Sequence, residues 1–133
     1  MINDIRGFTL VEFLVATVIL MVGLLGMLQG INVAMDKNVE NLLRNEAIIV
    51  ADERMMLKRG KQFDALSTIT SNLSTQRYSR GIFKNYSILE VVSAATTDSG
   101  VPRSKEISIN VTWQYRNNRN AHSVSSFVST AAK

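Results

Sequence analysis

Cysteine is absent from this 133-residue chain. Disulfides, thiolate metal sites and cysteine redox chemistry are therefore excluded. The one histidine, His122, provides no cluster for a zinc or iron site. Proline occurs once, at Pro102, so no imino acid interrupts any helix before it. Acids are scarce in the second half: four against nine Lys and Arg from Lys61 to Lys133, compared with six against five from Phe8 to Gly60. The net charge of +4 is thus carried by the C-terminal part, yet no run of adjacent bases marks a nucleic-acid site. No Ser-His-Asp set, paired carboxylates or phosphate loop is legible. Asp64, Glu90, Asp98 and Glu106 lack ligand spacing. These absences argue against an enzyme and against a cofactor.

Charge is also missing from the sixteen residues Phe13 to Leu28. With Glu12 as the sole interruption, Phe8 to Leu28 forms an apolar stretch of about 31 Å as a helix, close to the thickness of a bilayer core. No small-residue cleavage site follows it, so an uncleaved signal anchor is one reading. A carboxylate within such a segment costs up to roughly 2.5 to 3.5 kcal/mol, so Glu12 calls for a partner. Gly26 and Gly30 have the small-xxx-small spacing that lets membrane helices approach. Together with Gly23 they also soften the helix, and softness is the favoured reading.

From Ile31 onward the pattern turns amphipathic. Met35, Val39, Leu42, Leu43, Ile49, Val50, Met56 and Leu57 are assigned to one face. Glu46 and Glu53 fall at the edge of that stripe. Gly60 is a natural stop after Lys58 and Arg59. One helix is expected from about Phe8 to about Arg59, near 78 Å long.

The remaining seventy or so residues are near the lower size limit for a self-sufficient core and should lean on this helix. In Lys61–Gly81 the spacing of Phe63, Leu66, Ile69 and Leu73 suggests a short helix that Asp64 caps. Ile88-Leu89-Glu90-Val91-Val92 reads as a buried strand. Thr96–Ser104 reads as a loop around Asp98, Gly100 and Pro102. Ile107, Ile109, Val111, Trp113 and Tyr115 alternate with polar residues as a one-faced strand. Arg116-Asn117-Asn118-Arg119 is a hairpin turn, because Asn tolerates positive φ. Ala121–Ala131 returns as a third strand, with Val124, Phe127 and Val128 as its apolar members. His122 is expected at a sheet edge or in solvent, and the Asn-x-Ser/Thr sequons at Asn72, Asn85 and Asn110 are read as chance. The fold class is α+β: a long N-terminal helix, half membrane and half amphipathic, packed against a small antiparallel sheet.

The junction Gly7-Phe8-Thr9-Leu10-Val11-Glu12, abutting an apolar helix, resembles the class III leader of type IV pilins and pseudopilins. The resemblance implies cleavage by a prepilin peptidase between Gly7 and Phe8 and N-methylation of Phe8. Removal of seven residues leaves a mature chain of 126. It also implies a partner for Glu12, the amine of Phe8 on a neighbouring subunit. Such a pair acts as a register device more than as a stabiliser. The implied divisions are leader 1–7, transmembrane part 8–30, amphipathic part 31–60 and β-rich head 61–133.

Glu12 to Leu20, Gly23-Leu24-Leu25-Gly26, Leu43 to Ala47, Ala51 to Met55 and Val111-Thr112-Trp113 are similar to the type IV pilus modification protein family, PilV. The likeness covers about half the chain, mainly its first third. Many pilins carry a proline where this chain has Gln29. Major pilins commonly close a C-terminal loop by a disulfide, which cannot exist here, and this favours a minor subunit.

The resemblance implies a non-catalytic minor pilin that helps initiate pilus assembly and is incorporated at the fibre tip. Its partners would be the prepilin peptidase, other minor pilins, the major pilin, the inner-membrane assembly platform and inner-membrane lipid. It would sit in the bacterial inner membrane with its head outside the cytoplasm, then on the cell surface. A minor pseudopilin of type II secretion is the alternative. A DNA-binding head is a more distant one, since nucleic acid is not an expected partner.

Overall fold

The structure is a computed structural model and describes residues 9–79, 81–98 and 100–130. The expected leader and Phe8 lie outside the described residues. The chain divides into two units, residues 1–39 and 40–133. Helix α1 (Leu10–Arg59) begins in the first and ends in the second. In the first unit every residue from Thr9 to Met35 is exposed. This stretch is long and apolar enough to cross a membrane. The helix continues unbroken through Gly23, Gly26 and Gly30, where an added Cβ would meet nothing within 4 Å.

In the second unit the last turns of α1 lie against a four-stranded antiparallel meander, β1 (Thr70–Ser79), β2 (Ile82–Asp98), β3 (Val101–Tyr115) and β4 (Asn118–Ser129), in that spatial order. The inward face of β3 matches the alternation in the sequence, with Ile107, Ile109, Val111 and Trp113 all buried. Opposite them on β2 lie Tyr86, Ile88, Glu90 and Val92, also buried. The helix contributes Leu43, Ala47, Val50, Ala51 and Met55. Ala47 and Ala51 are fully buried within this stripe. The α+β expectation holds, with one face of the sheet covered by helix and the other exposed or half-buried.

Several finer expectations need correction. Ile49 and Met56 are exposed, Met56 at 75%, because at 3.6 residues per turn they fall opposite Leu43, Ala47 and Val50. The buried stripe is built partly of alanines, which selecting large apolar residues passes over. Leu57 is exposed as well, at 63%, close to the end of the helix.

Among the described residues of Lys61–Gly81 the only helix is a 3₁₀ turn at Phe63–Ala65, without a side-chain cap. Thr70 onward is β1, making four strands where three were expected. The Lys105 ammonium donates to the carbonyls of Phe63 (2.9 Å) and Leu66 (2.6 Å), and stands 4.4 Å from the centre of the Phe63 ring. Leu66 O, which a continuing helix would use internally, is taken by the sheet instead. Leu66 is buried, whereas Ile69 and Leu73 are exposed, so the three- and four-residue spacing marks no single packed face.

The expected loop at 96–104 is mostly strand. β2 extends to Asp98 and β3 starts at Val101, with Gly100 at φ +82° in the turn between them. Pro102 sits in β3 opposite Thr97, next to the register shifts at Thr96, and precedes the first β4 pair at Ser104. A residue without an N–H is tolerated at such an irregular strand end. The β3–β4 turn is tighter than expected, and its left-handed residue is Arg116 (φ 53°) rather than an asparagine. In β4, Val124 and Val128 share the half-buried face while Phe127, an odd number of residues away, is exposed on the other.

Candidate functional site

The first site lies where α1 begins. Thr9 O accepts the first helical bond, from Phe13 N (3.2 Å), which makes Thr9 the N-cap. Glu12 Oε2 accepts from Thr9 N (2.9 Å) and from Thr9 Oγ1 (3.0 Å), while Glu12 N donates to Thr9 Oγ1 at 3.3 Å. This is a capping box: hydroxyl and carboxylate reciprocally satisfy the donors that a helix start leaves unpaired. A negative charge in the first turn also faces the positive end of the helix dipole. Where water is scarce, both effects gain weight, because unpaired N–H groups are costly in lipid.

The carboxylate expected to await a neighbour's amine is thus held in place by its own chain. Both Thr9 bonds fall on Oε2, and a carboxylate can accept more donors on its second oxygen. The sequence signal of this box is Thr9-x-x-Glu12, a hydroxyl three residues before a carboxylate at a helix start, and the charge alone does not reveal it. The cleavage and methylation positions Gly7 and Phe8 lie outside the described residues. Further along, Thr17 Oγ1 donates to Leu14 O at 2.8 Å, which hides its hydroxyl within the apolar segment.

The second unit is held by polar clamps that the apolar pattern does not announce. Glu90 is only 3% exposed. It pairs with Lys58 of α1 at 2.9 Å and accepts from Ser71 Oγ of β1 at 3.2 Å. The Tyr86 hydroxyl donates to Leu43 O across the helix–sheet interface at 3.1 Å. Burial, reinforced by the nearby Glu46 charge, pushes this phenol up to about 12.

Glu53 and Glu46, expected at the stripe edge, diverge. Glu53 is exposed and pairs with Arg77 of β1. Glu46 is half-buried on the Tyr86 side. His122 is half-buried on β4, an edge strand, opposite Val111. Among the described residues no group of three His, Asp or Glu side chains could hold a metal ion.

The chain matches the family described as the prokaryotic N-terminal methylation motif over residues 2–28, about a fifth of its length. The matched stretch contains the junction, the capping box and most of the apolar segment. It supports a type IV pilin or pseudopilin, processed by a prepilin peptidase and assembling with other pilins. The apolar helix is consistent with a membrane-anchored protein of that kind. No curated protein and no solved structure matches the chain.

Proposed function

We propose that this chain is a non-catalytic minor pilin of the type IV pilus modification protein type. It helps to initiate pilus assembly and is incorporated in the fibre, at its tip. The observation that carries this reading is the methylation motif on residues 2–28 running directly into the apolar start of α1. Prepilin peptidase removes residues 1–7, and Phe8 becomes a methylated N-terminus. The freed amine of Phe8 on one subunit then meets Glu12 of the next. Because Thr9 already orients that carboxylate, the register charge is preorganised before any neighbour arrives. Only one axial offset brings amine to carboxylate, so the pair fixes how adjacent helices slide.

The exposed apolar surface of α1 is stored in the inner membrane and transferred into the helix bundle of the fibre. The head outside the cytoplasm offers its surface to neighbouring pilins. The matched motif is equally compatible with a minor pseudopilin of type II secretion, and the genes adjoining this one separate the two. The direct test is the mass and N-terminal sequence of the mature protein. A chain beginning at N-methylated Phe8 is expected. An intact Met1 would return the protein to a plain signal anchor.

A further inference from the structure

The bases of the head are gathered at one end of the sheet. Among the described residues, the hairpin segments 75–87 and 111–122 carry four bases and no acid, whereas the rest of the described part of 61–133 carries three bases and four acids. The contacts with α1 fix which end this is. Tyr86, in the last buried row before the tips, bonds Leu43, near the start of the helix segment in this unit. Glu90, four residues further along β2, meets Lys58, and Lys105 meets the turn after the helix. The β1–β2 and β3–β4 turns therefore lie at the end where α1 enters the unit, coming in sequence from the apolar segment. The β2–β3 turn, with Asp98, lies at the other.

Aromatic rings accompany these bases. Tyr78 and Phe83 are 64% and 65% exposed at the first tip, with ring centres 4.7 Å apart. At the second, the Arg116 guanidinium stands 5.7 Å from the centre of the Tyr115 ring. Lys84 and Arg119 flank the two turns, on β2 and β4. Helix α1 offsets part of the charge, since Glu53 takes Arg77 and Glu46 lies near Tyr86. Exposed aromatics beside Lys and Arg match the chemistry of a bilayer interface: rings settle at headgroup level and cations attract anionic lipid.

We propose that this end of the head docks on the anionic phospholipid surface of the membrane that the apolar segment crosses. The inference rests on that membrane reading. Lipid fits better than single-stranded nucleic acid, because Tyr78 and Phe83 are tilted 47° and pack on each other instead of offering parallel faces for bases. Docking would shield the exposed Tyr78–Phe83 pair while the subunit waits in the membrane, and extraction into a fibre would release it.

The chain has no cysteine, so single-cysteine variants can carry a nitroxide without background. Full-length N117C, V101C and V18C, each in lipid nanodiscs, report the tip, the opposite end and the apolar segment. In discs containing phosphatidylglycerol, the label at position 117 should be shielded from an aqueous relaxation agent. In pure phosphatidylcholine discs, or at high salt, it should not. The label at 101 should stay aqueous in both. Lys84→Gln and Arg119→Gln should each reduce the docked fraction about fivefold.

A label at 117 equally aqueous in both lipids, with the label at 18 in lipid, would overturn docking alone. An aqueous label at 18 would overturn the membrane reading and docking with it. Shielding at 117 produced by an added single-stranded oligonucleotide, and not by phosphatidylglycerol, would assign the tip to nucleic acid and overturn docking.

Discussion

The two units use apolar residues in opposite ways. Residues 10–35 present Leu, Val, Ile, Met and Phe all round one helix, and every one is exposed. Residues 40–59 bury a single stripe, much of it alanine, and tie it down with Lys58–Glu90, Tyr86–Leu43 and Glu53–Arg77. A helix that is apolar on every side has its solvent in a membrane or a bundle of other helices. A helix apolar on one side finds its partner in its own chain. The first unit is thus built to be completed from outside, whereas the second buries its stripe within its own chain.

Substitutions can break this contrast. Lys58→Met should have the largest effect, about 4 kcal/mol, because the buried Glu90 carboxyl loses its ion-pair partner and keeps only a serine. The double variant with Glu90→Leu should recover most of that loss. Thermal melts of the full-length chain in detergent, followed by Trp113 fluorescence, check both. Ile109→Ala should lower the same transition by about 3 kcal/mol through a cavity between sheet and helix.

Tyr86→Phe should cost about 1 kcal/mol by removing a buried hydroxyl–carbonyl bond. It also has a pH signature. The folded phenol titrates at about 12 while an unfolded one titrates near 10, so the unfolded state loses its proton first. The stabilisation is complete below pH ~10 and is lost as the pH rises toward ~12. The stability difference between wild type and Tyr86→Phe should therefore decline across that window. Gly26→Ala, in the first unit, should leave the head transition unchanged, because no atom lies near the added methyl. It should add at most about 1 kcal/mol of local helix stability, visible in hydrogen exchange of residues 20–32.

Periodicity made the strand at 107–113 legible because it buries a regular face, and the uncharged apolar run, the lack of proline and the stop at Gly60 made the extent of α1 legible. It failed where burial is polar or small. Ala47 and Ala51 are fully buried in the stripe yet weigh little in a hydrophobic pattern. Glu90 interrupts an apolar run because Lys58 waits 32 residues earlier, and no local rule sees that pairing. Thr70–Ser79 has almost no apolar signal, and it becomes a strand because β2 offers it a ladder. At the candidate site the acid is legible from its charge, and its local partner only from the capping-box spacing. Glu12 is a charge in an apolar segment, while Thr9 carries a hydroxyl that only its three-residue spacing from Glu12 makes informative.

That pair now permits the most direct test. Glutamine can still close a capping box but carries no charge, whereas Thr9→Ala loosens the cap by about 1 kcal/mol and keeps the carboxylate. The incorporation of each variant into pili, measured in sheared fibres from cells expressing equal amounts of protein, separates capping from register. If Glu12 sets the register between subunits, Glu12→Gln should abolish incorporation and Thr9→Ala should leave most of it. If Glu12→Gln assembles normally while Thr9→Ala fails, the carboxylate serves only its own helix and the register account is wrong.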